Sequence, residues 1–279
     1  RMHGDAAAPQ VVFTKNAIDA TTTRILVCDR NGVPITDQQV DGAWALDANT
    51  RLADLDMDRR PDLVHVGIGL VRVLRNVSPR PDAIAFAPGP VTALEPTLSP
   101  LASWVLDVNG DGRADLLVRH VNGLMVWLGT GGGGFEATGH SLGVRLADGS
   151  ILSGLSTFQF SFGDFNGDGL IDVVLSRGTL AALFTNRGDT LVQVAVPGMT
   201  GLAQPFAYPL VADLAGTGNE AVAFVSDSGV DAIELTSPST GLLRLADDGR
   251  GTRAQLAYAR APIAAGMVRR ASVLAALTL

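Results

Sequence analysis

The chain has 279 residues and a mass of 28.9 kDa, which is enough to bury the core of one large domain or two small ones. Hydrophobic residues make up 47% and charged residues 18%, which excludes intrinsic disorder, and no uninterrupted apolar run is long enough to span a bilayer. The net charge of −7 and the scatter of the 21 basic residues argue against a nucleic-acid partner. Cys28 stands alone, which excludes an intrachain disulfide and a multi-cysteine zinc site.

Short apolar runs rich in β-branched side chains recur along the chain. With 32 Gly, 14 Pro and 5% aromatic residues, they favour many short strands joined by tight turns. None has a helical period. In chain order the predicted strands lie at residues 24–27, 62–66, 115–118, 172–175 and 221–225. The sequence therefore predicts an all-β fold.

An internal repeat organises these strands. Acidic loops open at Asp54, Asp107, Asp164 and Asp213, with spacings of 107−54=53, 164−107=57 and 213−164=49 residues. Each loop leads into a strand, a turn and a second strand. A last strand is predicted at 134–136 in the second repeat and at 191–194 in the third.

About four strands per repeat is the count of one β-propeller blade. Residues 1–48 form a fifth, worn copy, which keeps the strand at 25–27, the turn at 29–32 and the strand at 33–35. We therefore predict a β-propeller of four-stranded blades with about five blades visible. Whether the intact protein has five, six or seven blades stays open.

Two loops share the pattern D-x-N-x-D-G-x-x-D, at residues 107–115 and 164–172. Calcium prefers six to eight oxygen ligands at roughly 2.3–2.6 Å, and positions 1, 3, 5 and 9 supply side-chain oxygens. Gly112 and Gly169 lie where the chain must reverse sharply. The predicted ligands are Asp107, Asn109, Asp111 and Asp115 with the carbonyl of Arg113, and Asp164, Asn166, Asp168 and Asp172 with the carbonyl of Leu170.

The other two loops depart from this pattern. Residues 54–62 keep four carboxylates but have Arg59 in place of the turn glycine, so we expect weaker binding there. Its predicted ligands are Asp54, Asp56, Asp58 and Asp62 with the carbonyl of Arg60. Residues 213–221 have lost the carboxylates at positions 3, 5 and 9 and are predicted to be metal-free. An alternative for all four loops is an Asp/Asn/Gly turn that only hydrogen-bonds to itself.

These loops and the strands after them resemble the FG-GAP/VCBS repeats of integrin-α-like β-propellers, whose loops hold structural Ca²⁺. Residues 245–258 look like the segment that closes the propeller in the B component of bacterial Tc toxins and in SpvB/Rhs-type proteins. Residues 269–279 resemble the first strand of the shell that follows there. We therefore expect a propeller over residues 1–256 and the start of another module, or a closing strand, over 257–279.

The resemblance implies a secreted, non-catalytic, Ca²⁺-binding propeller that docks or gates partner subunits of a Tc-B/SpvB/Rhs-type toxin. A chain that starts at Arg1 without a signal peptide is expected to be a fragment or a processed form. The alternative is an adhesin or lectin-like propeller that binds glycans or a cell-surface receptor. Arg187-Gly188-Asp189 in a predicted hairpin turn, and the three tryptophans, keep that alternative open.

No enzyme signature is present in the sequence. The four histidines share no pattern with Cys28 or a serine, and the carboxylate pairs lie inside the metal loops. Residues 129–134 are glycine-rich but lack the Gly-Lys-Ser/Thr ending of a phosphate loop, and we interpret them as a flexible turn. Asn76-Val77-Ser78 has the form of a glycosylation sequon, a tripeptide too common to decide anything.

Overall fold

The computed structural model describes residues 11–16, 22–29, 31–41, 48–80, 83–96, 98, 102–120, 123–199, 208–212, 214, 220–227, 229–234, 245–247, 253–260 and 272–278. The chain divides into two compact units, Arg1–Leu142 and Gly143–Leu279. Within the described residues, no helix is long and apolar enough to cross a membrane.

The first unit begins with a three-stranded antiparallel sheet. Its strands are β1 (Val11–Asn16), β2 (Thr22–Cys28) and β3 (Pro34–Asp41). The predicted turn closes where the N–H of Gly32 donates to the carbonyl of Asp29 at 3.0 Å. The strands expected in the worn N-terminal copy are thereby confirmed.

Two further groups of antiparallel strands follow in the first unit. Strands β4 (Thr50–Ala53), β5 (Asp62–Gly67), β6 (Leu70–Asn76) and β7 (Phe86–Ala93) form a four-stranded antiparallel sheet in chain order. Strands β8 (Ser103–Leu106), β9 (Asp115–His120) and β10 (Gly123–Trp127) pair antiparallel in the same way.

The central strands β5 and β6 of the β4–β7 sheet are buried on both faces. Val64 and Val73 belong to one apolar cluster, whereas Leu63 and Leu74 belong to another. Neighbouring residues of a strand point to opposite faces, so two clusters flank one sheet. This explains why the predicted strands are continuous apolar runs without polar alternation.

The second unit repeats this architecture. After β11 (His140–Arg145) and a short 3-10 helix (Leu155–Thr157), four antiparallel strands follow in chain order. They are β12 (Gln159–Gly163), β13 (Asp172–Arg177), β14 (Leu180–Asn186) and β15 (Thr190–Val194). Residues 143–145 of β11 pair in parallel with β15.

Two three-stranded antiparallel sheets end the second unit. The first contains β16 (Tyr208–Ala212), β17 (Ala221–Ser226) and β18 (Gly229–Glu234). The second contains β19 (Leu245–Asp247), β20 (Arg253–Arg260) and β21 (Ser272–Thr278). Strand β20 runs through position 256, where the sequence analysis places a module boundary, and that boundary stays a prediction.

The all-β propeller class is confirmed, and so is the strand expected at 191–194. The strand predicted at 134–136 is wrong: Phe135 makes only an isolated bridge to Gly129, and the next strand is β11.

Both side-chain packing and backbone hydrogen bonds fix this glycine-rich segment, since the N–H of Thr130 donates to the carbonyl of Gly134 at 2.9 Å. A side chain at Gly133 would come within 2.7 Å of Arg75 Cδ, and one at Gly134 within 2.9 Å of Pro90. The N–H of Gly133 also donates to the carbonyl of Leu55 at 3.3 Å. The segment is therefore a turn packed against Arg75, Pro90 and Leu55, and not the flexible turn that its composition suggests.

Candidate metal centre

Three acidic loops share one hydrogen-bonded framework. We name them loop 1 (54–62), loop 2 (107–115) and loop 3 (164–172). In each, Oδ1 of the position-1 carboxylate accepts from the N–H at position 5 at 3.1–3.2 Å, and Oδ2 accepts from the N–H at position 6 at 2.8–3.0 Å. Oδ1 at position 5 accepts from the N–H at position 7 at 2.8–2.9 Å. The loops are thus wound by their own carboxylates.

The backbone is left-handed at positions 4 and 6 of every loop. Loops 2 and 3 have glycine at both positions, with φ from 75° to 88°. Loop 1 reaches the same conformation with Met57 at φ 61° and Arg59 at φ 68°. A left-handed residue with a side chain costs roughly 1–2 kcal/mol, so loop 1 keeps this geometry against local strain. Arg59 changes the energy of the turn but not its shape.

Loop 1 brings three of its predicted ligands together. Asp54, Asp56 and Asp58 each offer a carboxylate oxygen, and these oxygens lie within 4.8 Å of one another. In loops 2 and 3 position 3 is asparagine, whose Nδ2 donates to the position-5 carboxylate at 3.4 Å and 2.9 Å. Carboxylate and amide oxygens are ligands that a hard cation such as Ca²⁺ takes, and those of Asp54, Asp56 and Asp58 converge, so the donor chemistry is compatible with the predicted metal.

The ninth-position aspartates have a second role, which the sequence analysis missed. These residues, which we call the clamp carboxylates, are Asp62, Asp115 and Asp172, and their exposed fraction is 0%. Each accepts one bond from the N–H at position 2 of its own loop at 2.9–3.1 Å. Each accepts another, at 2.7–2.9 Å, from the N–H that lies 14 residues downstream. The clamp carboxylates therefore tie each loop to the end of the hairpin that follows it.

Burial dominates the electrostatics of the clamp carboxylates. Removal from water raises the pKa of Asp62 to about 6 and that of Asp172 to about 6, and it raises the pKa of Asp115 as well. The donated backbone N–H groups oppose this shift, while the other carboxylates of the loop add to it. A cation in the loop would lower these pKa values and so counter the effects of burial and of the neighbouring carboxylates.

Two asparagines complete the clamps of loops 1 and 3. Asn76 and Asn186 donate their own N–H to the clamp carboxylates, and Nδ2 of each donates to the position-8 carbonyl at 3.2 Å. Asn76, the residue of the apparent sequon, is 1% exposed and lies inside the fold. The equal spacing from Asp62 to Asn76 and from Asp172 to Asn186 is the sequence signal that could have revealed this role.

The fourth loop lies mostly outside the described residues, which include only positions 214 and 220 before β17. Its ninth position is Ala221, a buried residue without a carboxylate. Glu220, at position 8, directs Oε2 toward the N–H of Asp164, which donates at 3.2 Å. The prediction that Asp213 opens a metal-free loop stays a prediction.

The charge at the seventh position separates loops 1 and 2 from loop 3. In loop 1 the Arg60 guanidinium pairs with the Asp58 carboxylate. In loop 2 the Nε of Arg113 lies 3.8 Å from Oδ2 of Asp111. Loop 3 has the uncharged Leu170 at this position.

The features behind the adhesin alternative fall in different environments. Arg187, Gly188 and Asp189 are exposed in the turn between β14 and β15, where the N–H of Arg187 donates to the carbonyl of Thr190 at 2.9 Å. Trp127 is 2% exposed and packs in the core of the first unit. Trp44 lies outside the described residues.

Residues 107–175 match the FG-GAP-like repeat family. The matched segment contains loops 2 and 3 together with the strands between them, and it confirms the repeat type that the loops predicted. Among curated proteins, the chain is 26% identical over 162 residues to a T-cell immunomodulatory protein homolog of Plasmodium falciparum. That alignment covers 53% of this chain and 22% of the relative.

Two solved structures share the fold. One is the Agrocybe aegerita lectin that recognises non-reducing terminal N-acetylglucosamine, with a TM-score of 0.53, 17% identity, and coverage of 91% of this chain and 71% of the lectin. The other is the Photorhabdus luminescens Tc holotoxin pore, with a TM-score of 0.53, 19% identity, and coverage of 89% of this chain. The match spans 12% of the holotoxin chain.

Proposed function

We propose that this chain is a non-catalytic, Ca²⁺-binding β-propeller that docks or gates partner subunits of a secreted Tc-type bacterial toxin. The observation that carries the metal part is the framework shared by loops 1, 2 and 3, in which the carboxylates at positions 1 and 5 are held in place by backbone N–H groups of the same short loop. The docking part is supported by the fold shared with the Tc holotoxin pore over 89% of this chain.

Bound Ca²⁺ would supply positive charge to carboxylates that otherwise repel one another across a short loop. In loops 2 and 3, the carboxylates at positions 1 and 5 and the amide oxygen at position 3 would face the ion. The clamp carboxylates hold the loop against the end of the hairpin that follows, so a cation that orders the loop also fixes that end of the hairpin. The metal would stabilise the docking surface and take no part in catalysis.

Docking is expected to use exposed loops, because loops on a rigid β-scaffold are where such folds place recognition. Purified chain immobilised in Ca²⁺ should capture a candidate toxin subunit, and prior chelation should weaken capture. Asp168→Ala should weaken it in the same way, whereas Asp189→Ala should not. Capture that is insensitive to chelation and to Asp168→Ala would separate the docking proposal from the metal proposal.

The second candidate is a glycan-binding propeller, and the shared fold of the Agrocybe lectin favours it. Burial of Trp127 removes one aromatic platform from this alternative. A glycan array run beside the subunit capture distinguishes the two. Micromolar binding to a terminal sugar without subunit capture would favour the lectin-like function, and loss of cell attachment in Asp189→Ala would point to a cell-surface receptor.

A further inference from the structure

The seventh residue is Arg60 in loop 1, Arg113 in loop 2 and the uncharged Leu170 in loop 3. Loops 1, 2 and 3 share the hydrogen bonds of positions 1, 5 and 9, so differences in their charge balance stand out. Loop 1 has the densest carboxylate group, yet it also has a cation of its own in Arg60.

Arg60 is held at both ends of its guanidinium. Its Nε donates to Oδ2 of Asp58 at 2.8 Å and its Nη2 contacts the same oxygen, while Nη1 donates to the carbonyl of Ser78 at 2.6 Å. Ser78 is fully buried, so the far anchor lies in the fold and not in solvent. The Arg60 and Asp58 side chains are 28% and 25% exposed. Three contacts to two groups, the Asp58 carboxylate and the Ser78 carbonyl, make this a well-defined ion pair.

The pair occupies the carboxylate that loop 1 would offer at position 5. Oδ1 of Asp58 accepts from the N–H of Arg60 at 2.8 Å, and Oδ2 accepts from its guanidinium. Asp54 is engaged by the N–H groups of positions 5 and 6. An ion that entered loop 1 would therefore compete with a positive charge that is already in place.

Loops 2 and 3 form a graded comparison with loop 1. Arg113 is less engaged than Arg60, because its Nε lies 3.8 Å from Asp111 and its Nη1 is directed to the carbonyl of Gly129 at 3.4 Å. Leu170 brings no charge to loop 3. The competition with an external cation is thus strongest in loop 1, weaker in loop 2 and lacking at this position in loop 3.

We propose that the Arg60 guanidinium is the resident counter-ion of loop 1 and excludes Ca²⁺ at concentrations that fill loop 3. This inference rests on the proposed metal function for loop 3. It differs from the sequence expectation, which attributed weak binding in loop 1 to the missing turn glycine. The left-handed backbone of Arg59 shows that the turn forms without glycine.

The test compares two single variants in the full chain. Arg60→Leu copies the residue of loop 3, and Arg59→Leu removes an equal charge from the exposed neighbouring position. Calorimetric titration with Ca²⁺ should show one additional site in Arg60→Leu, with an affinity at least about tenfold above that of loop 1 in the parent chain. Arg59→Leu should show none. The reciprocal variant Leu170→Arg should weaken the loop 3 site by a similar factor.

A metal-free measurement keeps the inference testable if no loop binds Ca²⁺. In chelator, Arg60→Leu should lower the melting temperature more than Arg59→Leu, because only the former leaves three convergent carboxylates without their cation. If no chain binds Ca²⁺ at millimolar concentration but this difference appears, the metal proposal fails and the counter-ion role stands. Equal effects of the two variants on titration and melting would overturn the role of Arg60, as would a parent chain whose loop 1 already binds Ca²⁺ as tightly as loop 3.

Discussion

Loop 1 and loop 3 share one hydrogen-bonded framework but differ in the charged residues that surround their carboxylates. In both, a buried clamp carboxylate binds two N–H groups and an asparagine closes the far end. Loop 3 has two glycines at its left-handed positions and no basic residue, whereas loop 1 has Met57, Arg59 and Arg60. The framework of the loop is thus separable from its charge balance, and each can be tested by itself.

The largest effect on the free energy of unfolding should come from the clamp carboxylates, which the loops share. Asp62→Ala and Asp172→Ala should each lower the free energy of unfolding by about 3 kcal/mol, because two buried N–H groups lose their acceptor at roughly 1–3 kcal/mol each. Denaturant unfolding measures both losses, with the exposed Asp189→Ala as the control. A loss near zero in one variant but not in the other would show that the two clamps are not equivalent.

The second-largest effect should come from metal removal, which should distinguish loops 2 and 3 from the fourth loop. Binding to the folded state alone stabilises by about 2.7 kcal/mol per site at a hundredfold excess over Kd, so chelation should lower the melting temperature. Asp168→Ala and Asp111→Ala should each remove one equivalent of Ca²⁺ in a calorimetric titration, and Asp213→Ala should remove none. An equal loss in all three variants would contradict the assignment of intact and worn loops.

The pH dependence of the metal-free protein should come from the clamps. The pKa of Asp62 and that of Asp172 are raised from 3.8 to about 6 in the folded state. Protonation therefore favours the fold, and this stabilisation, about 1 kcal/mol for each carboxyl between pH 5 and 7, is lost as the pH rises through 6.

Thermal unfolding in chelator at pH 5 and pH 7 measures this loss. Asp172→Asn should reduce the fall in melting temperature from pH 5 to pH 7 by the contribution of one carboxyl. Ca²⁺ should also reduce this fall, because the cation binds deprotonated ligands. If Asp172→Asn showed the same fall in melting temperature as the parent chain, the pH dependence would belong to other groups.

The smallest effect should come from the turn residues. Gly169→Ala should cost about 1 kcal/mol from backbone strain alone, because a Cβ there meets no atom within 4 Å. Arg59→Gly should stabilise by less than about 1 kcal/mol, since the relief of strain is partly offset by the larger entropy of glycine in the unfolded chain. Gly132→Ala, at a residue outside the left-handed region, is the matched control. A neutral Gly169→Ala would show that glycine is not required in loop 3.

Much of the architecture follows from local pattern. The spaced Asp-rich nonapeptides, each followed by a β-branched run, predicted the loops, the strands after them and the blade repeat, because turn chemistry and strand propensity act over a few residues. The strand expected at 134–136 failed because Gly133 and Gly134 pack against Arg75 and Pro90, which a local pattern does not contain.

The sequence by itself determined the fold class, the repeat and the positions of the acidic loops, since these depend on short-range spacing and composition. Only the tertiary structure decided what the charged groups do. Asp62 and Asn76, and likewise Asp172 and Asn186, meet only after a hairpin folds back on its loop. Burial then raises the pKa of both aspartates, and the carbonyl of Ser78 fixes Arg60 against Asp58. Desolvation and long-range hydrogen bonds exist only once distant residues are brought together, so the nine-residue loop motif does not contain them.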